Sequence, residues 1–241
     1  MKFLMGCLTG LVTMAVVVVL AAAYFLGNVP IVSGLMGTNK PVDLGVKVSV
    51  DAAYQALKNL KRPTTIQELE AIVKNPQLFK SFKATLSEEQ VSSFLGLGDI
   101  PDFPLRLTQF KFHQDGTVET SGLLDTALAQ TFLLKNGVPN DLINQGVNYF
   151  NLAGKVTYYA KGAIKIENNK VNLNIASARI GNIPVPDVVT KETAAIGDWV
   201  SKTLTKNEYN VRKLTVSAGK VELDADRPLS ALRPWLRYVQ R

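Results

Sequence analysis

Hydrophobic and polar positions are arranged along this chain in three ways, and each predicts a different kind of element. From Phe3 to Leu26 no residue is charged, and no charge returns until Lys40. A helix of that length rises about 36 Å, enough to cross a hydrocarbon core of roughly 30 Å. Residues 1–26 are therefore predicted as a transmembrane helix. From Val42 the period becomes two. Val42, Leu44, Val46, Val48 and Val50 are apolar, with Asp43, Lys47 and Ser49 between them, which predicts a half-buried strand. Leu105 to Leu124 reads as a hairpin turning at Asp115-Gly116. Its apolar positions slip from odd (Leu105, Leu107) to even (Phe110, Phe112), which predicts a bulge near Thr108-Gln109. The alternation is longest in Lys155–Glu167 and Lys170–Ile180, two arms joined at Asn168-Asn169 by a predicted type I′ turn. A last hairpin, Val211 to Val216 and Lys220 to Ala225, turns at Ala218-Gly219.

The helical period falls between these hairpins. Asp51 is placed to cap a short helix from Ala52 to Leu60, stopped by Pro63. Thr65 with Glu68 fits a capping box for a helix to Lys74 or Asn75. Ser87 with Gln90 fits a second, ended by Gly96. Asp125 to Asn136 and Val138 to Phe150 read as two helices whose apolar residues serve either a core or the lid of a groove. Asp187 caps a helix to Leu204 with an apolar stripe of Val189, Thr193, Ile196, Val200 and Leu204. The composite is an α+β fold, a long bent antiparallel sheet with packed helices behind one N-terminal transmembrane helix. Residues 27–41, rich in Gly, Asn, Ser and Pro, are the linker, and 42–241 the domain.

Charge orients the chain. Lys2 and the α-amino group precede the apolar run, and Gly27 to Asn39 carries no charge. Positive-inside logic then leaves the N-terminus cytoplasmic and the C-terminal domain extracytoplasmic. The run exceeds the about 7–15 apolar residues usual in a signal peptide, which favours an uncleaved single-pass anchor. Ala21-Ala22-Ala23 offers a cleavage site as the alternative. Leu4-Met5-Gly6-Cys7 has the look of a lipobox, but almost no apolar segment precedes it, and Cys7 is read as an ordinary residue of the span. Cys7 is also the only cysteine, so the domain has neither a disulfide nor thiol chemistry. The net charge of +7 includes no Lys/Arg run of the kind that marks nucleic-acid binding. An anionic lipid headgroup or cell-wall polymer is the acidic neighbour it suggests.

The candidate chemistry is thin. His113 is the only histidine and sits beside the Asp115-Gly116 turn, with no G-x-S-x-G motif to supply a nucleophile. It reads as a solvent-facing turn residue. Glu88-Glu89 falls in the first turn of a helix, where acids complement the dipole. Asp224 and Asp226 alternate on a strand, and neither acidic pair demonstrates a shared cleft. Gly96-Leu97-Gly98-Asp99 lacks the lysine of a phosphate loop. No catalytic residue, metal ligand or cofactor is assigned, and the chain reads as non-enzymatic. Two apolar features remain. Val189, Ile196, Val200 and Leu204 would line a lipid-holding groove, or else fill an ordinary core. In Leu229 to Arg241, the residues Arg233, Arg237 and Arg241 share one helical face, with Trp235 and Tyr238 nearby. Those five residues would contact membrane lipid, or the leucines would dock the tail on the domain.

Three patterns carry a resemblance: Leu86-Ser-Glu-Glu-Gln-Val, the long hairpin ending in Ala178-Arg179-Ile180-Gly181-Asn182-Ile183-Pro184-Val185-Pro186, and the amphipathic helix directly after it. With the single N-terminal anchor, and over about the last 150 residues in order of elements, the chain resembles the membrane-anchored bacterial proteins of the YpmS type and related LmeA-like exported proteins. The resemblance implies a lipid-cradling fold in which a curved sheet wraps a long helix, and it brings no catalytic residues. The expected activity is binding of a lipid or other amphipathic ligand. The alternative is a cell-envelope scaffold that binds a protein partner.

Overall fold

The computed structural model describes residues 40–97, 103–135, 155–181, 183–184 and 193–232. The predicted transmembrane helix, the predicted helix from Val138 to Phe150, Val189 and the tail after Leu232 lie outside them. Among the described residues no helix is long and apolar enough to cross a membrane. In chain order the elements are α1 (Val50–Asn59), α2 (Ile66–Lys74), α3 (Gln77–Lys80), β1 (Ser81–Ser87), α4 (Glu88–Leu97), β2 (Leu105–Phe112) and β3 (Thr117–Asp125). There follow α5 (Thr126–Lys135), β4 (Lys155–Glu167), β5 (Lys170–Ile180), β6 (Ile183–Pro184), α6 (Thr193–Lys206), β7 (Asn210–Ser217), β8 (Lys220–Asp226) and a 3-10 turn, Leu229–Leu232. The architecture is α+β, as the alternating periods predict.

The strands form one antiparallel sheet in the order β1-β8-β7-β4-β3-β2, with β5 on the other edge of β4 and β6 beside β5. One edge of β4 is shared. Lys155 through Ala163 pair with β3, whereas Ile166 and Glu167 pair with Leu214 and Lys213 of β7. The sheet therefore forks along β4, and it curls until its outer parts meet. Gly219 N–H, in the β7–β8 turn, donates to Phe112 O at the end of β2 (3.0 Å), and Glu88 N–H donates to Gly219 O (3.1 Å). α4 joins β1 to β2 in sequence and packs along β2, while also reaching β1 and α1. Inward side chains from every large strand join one continuous core that includes Phe79, Phe82, Phe103, Phe110 and Phe132.

Edge strands present unpaired backbone groups that need a partner. On β2 that partner is a helix. Ser92 Oγ accepts from Phe110 N–H (2.8 Å) and donates to Phe110 O (3.4 Å), and Glu88 Oε2 accepts from Phe112 N–H (3.1 Å). The bulge expected near Thr108-Gln109 is present, since the β2–β3 register shifts between Arg106 and Gln109. Leu107 takes up the extra residue at φ +48. Asn168 and Asn169 both have positive φ, +49 and +63, as a type I′ turn requires. The Ser87–Gln90 box closes in both directions, Gln90 N–H to Ser87 Oγ (3.2 Å) and Ser87 N–H to Gln90 Oε1 (3.0 Å). In the other box Thr65 Oγ1 accepts from Glu68 N–H, but Glu68 turns back to Thr64 rather than Thr65.

Several boundaries differ. Val42 to Ser49 belongs to no ladder, bends at Gly45 (φ +72), and leads into Val50, the first residue of α1. Its alternation is visible in burial, with Leu44 and Val46 inside and Val42 and Val50 outside. Side chains hold it instead: Leu44 N–H donates to Gln109 Oε1 (2.6 Å), Leu44 O accepts from Lys111 Nζ (3.1 Å), and Ser49 N–H donates to Ser93 Oγ (2.9 Å). With α4 already on the edge of β2, a further strand has no row of backbone groups to join. The cap of α1 is Ser49, whose Oγ accepts from Ala52 N–H (3.2 Å), and Asp51 sits two residues on, within the first turn. α4 runs one residue past Gly96, to Leu97. The described part of the helix predicted from Asp187 begins at Thr193 and continues to Lys206.

Candidate functional site

The helix α6 lies over the free edge of β5. Val171 N–H donates to Ser201 Oγ (3.0 Å), and that hydroxyl donates to Gly197 O within the helix (2.8 Å). A Cβ on Gly197 would stand 2.7 Å from Val171 O, so only glycine admits the strand this close. The hairpin turn fastens the far end of the helix. Asn169 Nδ2 donates to Tyr209 O (2.7 Å), and its Oδ1 accepts from Val211 N–H (2.6 Å). Along the inner face, Ile196, Val200 and Leu204 are brought together as the stripe predicts, all buried and all part of the continuous core, with Trp199 half-buried at their flank. Val189, the fourth residue of the predicted groove, lies outside the described residues. So do Arg233, Trp235, Arg237, Tyr238 and Arg241.

The titratable groups gather in two clusters on the outer face of the sheet. In the first, Glu119 accepts from Lys161 Nζ (3.1 Å) and from Tyr159 O–H (2.9 Å). His113 Nε2 stands 3.0 Å from Glu119 Oε1, within ion-pair range though without hydrogen-bond geometry. His113 is thus half-buried against an acid rather than a free turn residue. Burial pushes the Glu119 carboxyl up, but the Lys161 and Tyr159 hydrogen bonds outweigh it and leave the group below its ordinary value. Burial first, then the Glu119 bond, pushes Tyr159 up to about 12. In the second cluster Arg212 bridges the two strand acids, with Nε to Asp224 Oδ1 at 2.7 Å and one terminal nitrogen to Asp226 Oδ2 at 2.6 Å. Lys83 adds a second cation to Asp224 (3.2 Å). These acids are saturated by cations. Among the described residues no group of three or more His, Cys, Asp or Glu suits a metal ion.

Where the sheet forks there is an open groove of about 300 Å³, bordered by Gly116, Ile164, Lys165, Asn172, Asn174 and Thr215. It opens between Ala163, the last β4 residue paired with β3, and Ile166, the first paired with β7. Lys165 is already paired with Glu167 (2.7 Å).

Sequence reasoning missed the most buried charge among the described residues. Arg227, just past β8, is 1 % exposed. Its guanidinium lies 3.9 Å from the Phe79 ring centre and 4.5 Å from that of Phe82. Its nitrogens donate to Phe79 O, to Leu60 O (3.0 Å) and to Lys61 O (3.2 Å). Those carbonyls end α1 and α3, where helices leave acceptors without internal partners. Arg62 is also buried beside Phe79, and burial pushes its guanidinium down to about 10. An arginine following an alternating strand carries no signal of this role. The Gly197–Ser201 spacing, two small residues on one helical face, was the one legible hint that α6 approaches a backbone closely.

Comparison of the chain with protein-family models, with curated proteins and with solved structures finds no match.

Proposed function

We propose that this chain is a membrane-anchored extracytoplasmic protein without a catalytic role, whose domain holds a lipid or another amphipathic molecule in an apolar groove beneath α6. The observation that carries the reading is how α6 is attached. Its polar ties to the sheet run along one margin, through Ser201 to Val171 and through Asn169 to the end of the helix. Its inner contacts, from Ile196, Val200 and Leu204, are apolar throughout. An acyl chain entering between helix and sheet would exchange one apolar contact for another and break none of those ties. The basic and aromatic tail, Arg233, Trp235, Arg237, Tyr238 and Arg241, suits contact with membrane lipid. The resemblance to the YpmS type belongs to the same reading.

The test is photocrosslinking of the full chain, in its membrane, with a lipid carrying a photoreactive group in its acyl chain. The expected result is labelled peptides from α6 and from β5 as well as from residues 1–26. Labelling confined to residues 1–26 overturns the groove. Recovery of a stable protein partner in that case favours the envelope scaffold instead.

A further inference from the structure

We propose that the solvent-facing side of α2 and α3 is the surface by which the domain docks on an anionic bilayer, an inference that rests on the membrane-anchored reading above. On α2, Ile66, Leu69, Ile72 and Val73 form one apolar arc at helical spacing. The domain covers only part of it. Leu69 and Ile72 are buried, whereas Ile66 is 61 % and Val73 41 % exposed, and Leu78 on α3 adds a third apolar side chain at 53 %. Apolar residues at this spacing, half in the core and half outside it, mean that the arc is wider than the surface it packs on.

Three exposed lysines, Lys61, Lys74 and Lys80, belong to the same helical layer. None has a carboxylate within ion-pair distance among the described residues. Both acids of α2, Glu68 and Glu70, are exposed, and Glu68 is committed to Thr64. Arg227 fixes how these pieces lie together. Its backbone N–H donates to Lys80 O (2.9 Å) and its side chain reaches Lys61 O (3.2 Å). The chain that leaves Arg227 toward Leu229, itself 42 % exposed, therefore departs between Lys61 and Lys80. Exposed apolar side chains with unpaired lysines beside them are what an interface of anionic headgroups over acyl chains accepts. An acidic protein surface would use the lysines but has no need of Ile66, Val73 and Leu78.

The experiment uses the full chain with its only cysteine changed, Cys7→Ser, and an environment-sensitive fluorophore on Val73→Cys, Leu78→Cys or, as control, Ser177→Cys on the opposite edge of the sheet. Each is reconstituted in vesicles of phosphatidylcholine, with or without about one third phosphatidylglycerol. Flotation reports anchoring separately from docking. The expected result is that all chains float, and that the labels at 73 and 78 shift to the blue only with the anionic lipid, while the label at 177 does not. High salt reverses the shift. Changing Lys61, Lys74 and Lys80 to Gln lowers the docked-to-undocked ratio about fivefold per lysine, without altering the circular dichroism of the domain. A chain that floats with no lipid-dependent shift overturns the docking face and leaves the anchored reading standing. A shift of the same size in neutral detergent micelles also overturns it, because the labels then report apolar insertion that needs no anionic headgroup. A chain that does not float overturns the anchoring on which both readings rest.

Discussion

Replacing Arg227 by methionine keeps roughly the same length and apolar bulk between Phe79 and Phe82 but removes every donor. Three carbonyls then lose a charged partner. Lys61 is exposed, so its carbonyl recovers water, whereas Leu60 and Phe79 are fully buried and theirs do not. Each acceptor stranded without a partner costs about 1–3 kcal/mol, and loss of a desolvated cation over two aromatic faces adds about 1–2 kcal/mol. Against this stands the relief of no longer burying a guanidinium, of the order of several kcal/mol. The balance is a net loss of about 2–4 kcal/mol, a large part of the about 5–15 kcal/mol that holds a typical domain. For a chain of this size that corresponds to a midpoint lower by about 4–16 °C. Lysine at the same position keeps the charge but has no planar fork to reach three carbonyls or stack on the rings, so it is expected to fall nearly as far as methionine. The assay is guanidinium unfolding of the detergent-solubilised protein, followed by tryptophan fluorescence. A methionine variant within about 0.5 kcal/mol of the parent would refute the argument. It would mean that the hydrogen bonds only cancel the desolvation, a result known for other buried charges.

Other consequences follow from the same contacts. Gly197→Ala places a methyl group 2.7 Å from Val171 O, and should destabilise the domain by about 1–3 kcal/mol while raising amide exchange at Val171 and its neighbours; unchanged exchange would mean that α6 can shift freely. Asn169→Ala removes the acceptor for Val211 N–H and strains a positive φ, costing about 2–3 kcal/mol, whereas Asn169→Gly, which tolerates that φ, should cost less; equal loss in both would place the whole effect on the hydrogen bonds. The hydrogen bonds from Arg212 hold the Asp224 carboxyl below its ordinary value. A carboxyl depressed in the folded state adds stability that is complete above the unfolded value near 4 and is lost as pH falls through the folded one. Arg212→Gln should therefore lower stability at neutral pH by about 0.5–1 kcal/mol, discounted for solvent screening, and flatten the acid limb below about pH 4; an acid limb identical to the parent's would remove this ion pair from the account.

Elements fixed by local chemistry were legible, and elements fixed by competition for an edge were not. The Ser87–Gln90 capping box, the Thr65 cap, the paired asparagines of the long turn and the parity slip at Thr108 act within a few residues, so their outcome can be read from those residues. Val42 to Val50 has as good an alternation as β1, whose Phe82, Ala84 and Leu86 face the core. It fails to become a strand because Ser92 and Glu88 of α4 already satisfy the backbone of β2, a fact about two other segments and not about its own residues. The α6 stripe illustrates a different limit. Periodicity located Ile196, Val200 and Leu204 on one face, but an apolar stripe looks the same whether it faces a filled core or a ligand. Arg227 was invisible for a third reason. Its role is to end two helices to which it has no sequence proximity, Leu60 being well over a hundred residues away.

The side chains that α4 and α6 lay on β2 and β5 also bear on how copies of this protein behave beside one another. If the chain is anchored as proposed, its domain meets its neighbours in two dimensions and at high effective density, with its orientation partly fixed. Those are the conditions under which one bare strand edge finds another and zips to it. Here Phe110 and Phe112 of β2 donate to Ser92 and Glu88, and Val171 of β5 donates to Ser201, so at these positions the amide hydrogens are already spent on hydroxyl and carboxylate oxygens of the same chain. Three short polar side chains thus act as spacers between crowded copies. Their loss would be felt first as clustering of copies, in the membrane plane if the chain is anchored there, before any change in the fold of a single copy.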